Sequence, residues 1–416
     1  MESAYIPPGL NHAVKENNMI LDKFNLEVTA VSGRDGFGTS KDSFECDVNS
    51  SAVMEYNTAQ LRGTISLQGD YTGPVKFCSS AYSLLESGRS EYNAQPLVDL
   101  TRDAGFVVAG MRSIKEGDDE KRIQDLISLA DVEMTVGNTY DFCIDFKKLG
   151  SELDYFIPTG SVASLKFKIR LQTELQKLFY GPIDGTKTIS GYTINNLRLT
   201  ADFCNFAAQP YKDLIKKMES PTGLKMMCHT YRAQTQSLIT GALTHKLQGS
   251  FQNRNLVSTY FIPINTTVAK NAAGISTTDS IALQTFVGKE YPKNLRVTMG
   301  NNHYVNQNSF AGCSGKMEHF MGVYKACRTT SSDHAVASDL ANKYLTNDLQ
   351  ITGASFVRGN DNLVRVYNSG ANGYINRGLL ETSFDTDGAQ NGKSILTIGV
   401  VTSTVTVQNG QISIVK

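Results

Sequence analysis

From Leu165 to Leu171 apolar and charged side chains alternate without a break. Leu165, Phe167, Ile169 and Leu171 share one parity, and Lys166, Lys168 and Arg170 take the other. Successive side chains of a strand point to opposite faces, so the segment predicts a half-buried β-strand with a wet outer face. The same alternation predicts strands at 24–30, 61–67, 132–136, 140–146, 192–206 and 224–231. Within 192–206 the parity shifts at Asn195-Asn196: Tyr192 and Ile194 take one, and Leu197, Leu199, Ala201 and Phe203 the other. One extra residue there predicts a β-bulge. Further strands are expected at 257–264, 281–287, 295–299, 349–357 and 363–367. The chain closes on two alternating runs, 405–408 and 411–415, around Asn409-Gly410, the preferred pair for a two-residue hairpin turn.

A few helical patterns interrupt this texture. Ile123, Leu126, Ile127 and Ala130 recur at i, i+3, i+4, i+7 behind the acidic start Asp118-Asp119-Glu120. Tyr211, Leu214, Ile215 and Met218 repeat the spacing after Pro210. Shorter helices are expected at 81–87, behind Ser79-Ser80, and at 335–345, with Asp333 near its start. Each pattern is one-sided, so each helix is expected to lie on the outside or the end of a sheet. Residues 1–20, broken by Pro7-Pro8-Gly9, read as an arm. The polar stretch 233–249 is the best break in the remainder. It divides the chain into 21–237 and 238–416, each about the size of an eight-stranded unit with insertions.

Composition narrows the function. The 416 residues carry 40 Lys+Arg against 40 Asp+Glu, a formal net charge of zero. Coating nucleic acid needs clustered cations, and Lys15 is the single cation of the first twenty residues. No direct sequence-specific nucleic-acid binding is expected. Seven scattered cysteines, Cys46, Cys78, Cys143, Cys204, Cys228, Cys313 and Cys327, sit largely in apolar runs and read as reduced, buried thiols. The first residues lack the basic and apolar regions of a signal peptide, and no run approaches the roughly 20 apolar residues of a membrane span.

Motifs that suggest chemistry fail on spacing or context. Gly388-Ala-Gln-Asn-Gly392-Lys393-Ser394 has three residues between its glycines where a phosphate loop has four, and a strand pattern follows it where a helix should. It reads as a turn with a solvated lysine. Gly33-Arg-Asp-Gly36-Phe-Gly38 lacks a βαβ context and reads as a loop. Cys313, His319, Cys327 and His334 lack the close pair of a structural zinc site. Their cysteines are expected in the core and their histidines on loops. Asp141 and Asp145 share a strand face, where paired acids would serve a hydrolase, though a solvated sheet face accounts for them better. No catalytic, cofactor or metal residue is therefore expected, and the chain is read as a non-enzyme.

Three blocks carry a resemblance. Phe142-Cys-Ile-Asp-Phe-Lys-Lys-Leu-Gly150 leads through Phe156-Ile-Pro158 to the 164–171 strand. Ile194-Asn-Asn-Leu-Arg-Leu-Thr-Ala-Asp202 precedes the helix 210–219 and the strand 224–231. Ser80-Ala-Tyr-Ser-Leu-Leu-Glu-Ser-Gly-Arg89 follows an early strand. In this order they resemble the double jelly-roll major capsid proteins of double-stranded DNA viruses, the lineage of adenovirus hexon and the membrane-containing phages, in its shorter polinton-like or adinto-like form. The resemblance implies an all-β protein with a few short helices, built as two eight-stranded jelly-roll sandwiches in tandem. It implies a homotrimer of pseudo-hexagonal outline in an icosahedral capsid, located in the virion and made in the host cytoplasm or nucleus. The partners it implies are neighbouring capsomers, penton and minor capsid proteins, and an internal membrane beneath the shell. The competing readings are a β-rich attachment or baseplate protein and a β-sandwich glycan hydrolase. The absence of Trp, the usual sugar platform, weighs against the last.

Overall fold

The computed structural model describes residues 20–48, 50, 52–116, 123, 125–150, 156–159, 164–183, 187–251, 255–265, 268–281, 284–300, 302–306, 313–328, 339–356, 379–408 and 411–415. Its first eight long strands are β1 (Ile20–Ala30), β2 (Ser43–Val48), β3 (Val53–Gly69), β4 (Leu85–Tyr92), β5 (Gln95–Leu100), β6 (Thr139–Asp145), β7 (Leu165–Leu171) and β8 (Ile189–Phe206). They form two antiparallel sheets, ordered β1-β8-β3-β6 and β2-β7-β4-β5. β1 pairs with β8 as far as Val28 and with β2 at Thr29 and Ala30, so it turns the corner between the sheets.

The second half repeats this plan. β9 (Leu224–Ser237), β10 (Thr244–Gly249), β11 (Asn255–Asn265), β12 (Lys293–Met299), β13 (Asn302–Asn306), β14 (Thr352–Ser355), β15 (Leu380–Asp385) and β16 (Lys393–Gln408) form sheets ordered β9-β16-β11-β14 and β10-β15-β12-β13. Adding eight to each label of the first unit reproduces the second. Strands winding between two packed sheets in the order 1-8-3-6 and 2-7-4-5 define a jelly roll, and the chain holds two in tandem. β17 (Gln411–Val415) returns along β16 as a hairpin in which Gln408 pairs with Gln411.

Alternation accounts for most of this. β7 spans the seven residues of the alternating segment, with the Leu, Phe and Ile side chains buried. The parity shift in β8 is a bulge: its register against β3 slips between Asn195 and Arg198, and Asn196 takes a left-handed φ of 53°. Other expectations differ from the structure. Residues 132–136 contribute a single bridge, Val75 to Met134, because turns on both sides leave no room for a ladder. The described part of 281–287 is loop ending in a short 3-10 turn at Val287–Lys289. Of the described residues 349–356 only β14 is strand. The helix expected at 81–87 is one 3-10 turn, Ala81–Leu84, after which β4 begins. The expected strand 363–367, residues 335–338 of the expected helix and the turn residues 409 and 410 lie outside the described residues.

All fourteen residues of β9 pair with β16, and α2 (Ala208–Glu219) stands between β8 and β9. Two further helices had no one-sided pattern to reveal them. α1 (Ala104–Lys115) buries ten of its twelve residues, so apolar positions surround its axis. α3 (Cys313–Arg328) carries two glycines and a weak stripe. α4 (Leu340–Leu345) packs against it.

One buried cluster fills the first sandwich and continues into the second unit through Tyr231, Tyr260, Ile262, Ile398 and Val400. A smaller cluster, with Leu256, Phe261, Val297, Phe384 and Val401, fills the second sandwich.

Candidate assembly surface

The two units treat the same sheet face in opposite ways. In β9-β16-β11-β14 the face turned away from the second sandwich carries Tyr231, Tyr260, Ile262, Ile264, Leu396, Ile398 and Val400, all buried. The first unit covers it. A Cβ at Gly110 of α1 would run into Ile262 Cδ1, so the helix backbone lies directly on β11. Lys115 Nζ stands 5.9 Å from the Tyr231 ring centroid. Arg232 forms an ion pair with Asp99 at the end of β5 and donates from Nη1 to its carbonyl at 3.0 Å. Thr235 Oγ1 donates to Asp103 at 2.8 Å. α3 covers the far side of the same face, crossing β14 where a Cβ on Gly322 would meet the Gly353 carbonyl oxygen at 2.5 Å.

The equivalent face of the first unit, on β1-β8-β3-β6, is polar and open. Lys23, Asn25, Glu27, Arg62 and Asp141 are exposed on it. Lys23 Nζ lies 2.6 Å from Glu55 and 3.3 Å from Asp202, and Asn25 Nδ2 donates to Asp202 at 2.8 Å. Glu27 pairs with Arg34 at 2.6 Å and stands 3.9 Å from Arg198. Arg62 and Arg198 are register partners on adjacent strands, two cations side by side.

Asp141 and Asp145 belong to this face, and their geometry is not that of a hydrolase. Asp141 accepts from Thr64 Oγ1 at 2.7 Å and Asp145 from Gln60 Nε2 at 2.8 Å, each across the β3–β6 ladder. Four residues along a strand separate them by about 13 Å, beyond the ~5–9.5 Å that glycosidase pairs span. They lie on a polar sheet face, Asp141 exposed and Asp145 buried.

The remaining candidates are structural. His319 is buried on α3, not on a loop; its Nδ1 meets Thr352 Oγ1 and its Nε2 donates to the Pro292 carbonyl at 3.0 Å. Both ring nitrogens are thus committed, and burial pulls its pKa down to about 4, against a smaller rise from the Pro292 bond. Cys327 is buried and accepts from Tyr260 Oη at 3.5 Å. The Cys313 side chain and His334 lie outside the described residues, and among the described residues no cluster suits a metal ion. The described cysteine side chains, Cys46, Cys78, Cys143, Cys204 and Cys327, are thiols outside any disulfide. Burial lifts the thiol pKa of Cys78 to about 12 and of Cys204 to about 11.

The 33–38 loop braces the β8 bulge. Asp35 Oδ1 accepts from Asn196 N, Gly36 N donates to Asn195 Oδ1, and Leu197 N donates to the Arg34 carbonyl, at 2.8, 3.1 and 2.8 Å. The 388–394 segment is a turn held by Gln390, which accepts from Val287 N at 2.7 Å and donates to the Gly388 carbonyl at 2.9 Å. The expectation of a solvated Lys393 is overturned: it is 8% exposed, and burial draws its pKa down to about 8. A groove of about 260 Å³ opens between Arg89, Lys168 and Arg170. Its walls are internally paired, Arg89 and Lys168 with Glu91 at 2.9 Å and Arg170 with Asp42 at 2.7 Å.

The arrangement defines a class: two jelly rolls of identical winding, packed flank to face, with their polar chemistry spent on internal pairing. Comparison with known proteins places that class. No protein-family model and no curated protein matches the sequence, but solved structures match the fold. Against the crystal structure of PBCV-1 VP54, fitted into a cryo-EM reconstruction of the virophage Sputnik, the TM-score is 0.62 at 10% identity, over 95% of this chain and 96% of that one. The 3.5 Å structure of the Sputnik virophage gives 0.57 at 9% identity, over 95% and 89%. The Faustovirus major capsid protein gives 0.56 at 9% identity, over 93% and 90%. The chain has the double jelly-roll fold of viral major capsid proteins.

Proposed function

We propose that this chain is the major capsid subunit of an icosahedral virus, a structural protein and not an enzyme. Its capsomer is a homotrimer of pseudo-hexagonal outline, made by three chains that each supply two similar units. The observation that carries this reading is the duplicated winding, matched over nearly the full length of both chains by capsid structures. Two jelly rolls of one topology in one chain let a threefold assembly offer six similar flanks to its neighbours. The division relevant to assembly lies in the 207–223 connection through α2. The capsomer's further partners are neighbouring capsomers, penton and minor capsid proteins and a membrane beneath the shell. Zero net charge suits such packing, since it limits long-range repulsion between copies.

Mass in solution tests the proposal. Light scattering on the purified chain is expected to give three times 45.5 kDa, with an interface of roughly 2,000 Å² or more that persists on dilution. A chain that stays monomeric at every concentration, or that hydrolyses glycans at a measurable rate, would end it.

A further inference from the structure

We infer that the groove on the outer face of β2-β7-β4-β5 binds the sulfate or phosphate group of a small ester. The capsomer reading neither requires such a site nor supplies one, so the two stand or fall separately.

The alternation that buries Ile169 and Leu171 turns Lys168 and Arg170 to the outer face. Register then sets their neighbours. Arg170 has Ser43 of β2 as its partner on one side and Ser87 of β4 on the other. Two short hydroxyl side chains beside a long one leave a depression in the face. Two residues along the ladder, Lys168 stands opposite Arg89, and Arg89 opposite Asp99 of β5. With Thr101, just past the end of β5, these side chains line the groove of about 260 Å³. At ~30 Å³ for each water, that space is worth roughly nine waters, more than one ion fills. The anionic group is therefore carried on a small molecule.

The pairing inside the groove uses only part of its donors. Lys168 is committed to Glu91 at 2.9 Å. Arg170 donates to Asp42 through Nε at 2.7 Å, and its Nη groups have no partner among the described residues. Arg89 Nε stands 2.9 Å from Glu91 and 3.8 Å from Asp99, yet it makes no aligned hydrogen bond among the described residues. No hydrogen bond of the described residues engages the hydroxyls of Ser43, Ser87 or Thr101. The two guanidinium side chains are 42% and 64% exposed, so a ligand reaches them without opening the fold.

A tetrahedral oxyanion answers this set. Guanidinium forks match the oxygens of such groups, and charge-assisted bonds of this kind are the strong ones. Arg89 and Arg170 supply charge and N–H donors, and Ser43 and Ser87 supply hydroxyl donors on either side of Arg170. The donors come from three adjacent strands and do not share one plane, which suits four oxygens better than a flat carboxylate.

Calorimetric titration of the full chain tests the site, with glucose carrying a sulfate or a phosphate ester as probes. Both esters are expected to bind, plain glucose is expected not to, and inorganic sulfate is expected to bind more weakly than sulfated glucose. Arg89→Gln with Arg170→Gln is expected to weaken ester binding by about tenfold or more. Lys212→Gln with Lys246→Gln, which removes as much charge from exposed positions elsewhere, is expected to leave it unchanged. Ser87→Val keeps every charge but fills the depression beside Arg170, and it is expected to abolish binding. Esters that do not bind, or that bind no better than plain glucose, overturn the site. Inorganic sulfate that binds as tightly as the esters overturns the small-ester assignment and leaves an ion site only. Equal losses in the two double variants would mean diffuse attraction to charge and reject the groove. If the arginine double variant fails to fold, Ser87→Val decides: binding lost supports the groove and binding retained rejects it.

Discussion

At the scale of single residues, the clearest consequence of this fold is its response to acid. His229 and His319 are both 2% exposed, and burial pulls each pKa down to about 4, with Lys115 adding to the effect at His229. An unfolded histidine titrates near ~6.5. Between those values the unfolded chain binds more protons, so stability is complete above the upper one and drains away as pH falls towards 4. Each site contributes about 3 kcal/mol to that loss. Urea midpoints measured from pH 7 to pH 4 are expected to fall steeply below 6.5. His319→Gln is expected to flatten part of the slope, and an unchanged profile in that variant would exclude His319 as a source. Sequence could not announce this role. It offered His319 as one corner of a Cys/His group, and only packing against Thr352 and Pro292 shows a histidine whose nitrogens are both spoken for.

Elements were legible in proportion to how one-sided they are. β7 has one wet face, and its alternation marked both of its ends. The β8 bulge was written in a parity change because an inserted residue swaps the faces of all that follow. α1 gave no such signal, since it is sandwiched between the units and apolar around its axis. The pattern at 123–130 misled for the opposite reason. It was expected to lie against a sheet, yet Ile123 and Leu126 are 66% and 77% exposed. The crossing of α3 and β14 depends on glycine alone: a Cβ on Gly353 would sit 2.8 Å from Val323 Cα, a backbone atom that cannot step aside. Gly353→Ala is therefore expected to cost about 1–3 kcal/mol by overpacking. Chemical denaturation would measure it, and a neutral result would mean that the helix is free to lift.

At the scale of the molecule, the two sandwiches keep separate main sheets but are joined by hydrogen bonds such as Arg232–Asp99 and Thr235–Asp103 and by continuous packing. The large sheets of the two units share no ladder, yet one buried cluster runs from Phe44 and Leu61 through α1 to Ile262 and Ile398. Domains joined by so large an apolar contact unfold together. Calorimetry on the isolated chain is expected to show one transition, and two well-separated transitions would contradict the shared core. The candidate surface emerges at this scale too. Asp141 and Asp145 were visible in sequence as acids on one strand face, but their hydrogen-bond partners, Thr64 and Gln60, lie 77 and 85 residues away.

By itself, the sequence determined that this is a β-protein of two large units with its strands in alternating register, because a period of two is a local property that each segment carries alone. It also carried the likeness to capsid proteins through the order of its strands and helices. Tertiary structure decided where one unit ends, which sheet face is covered and which is left open. Those outcomes depend on which distant strands pair and on what packs over them, and no local period encodes either.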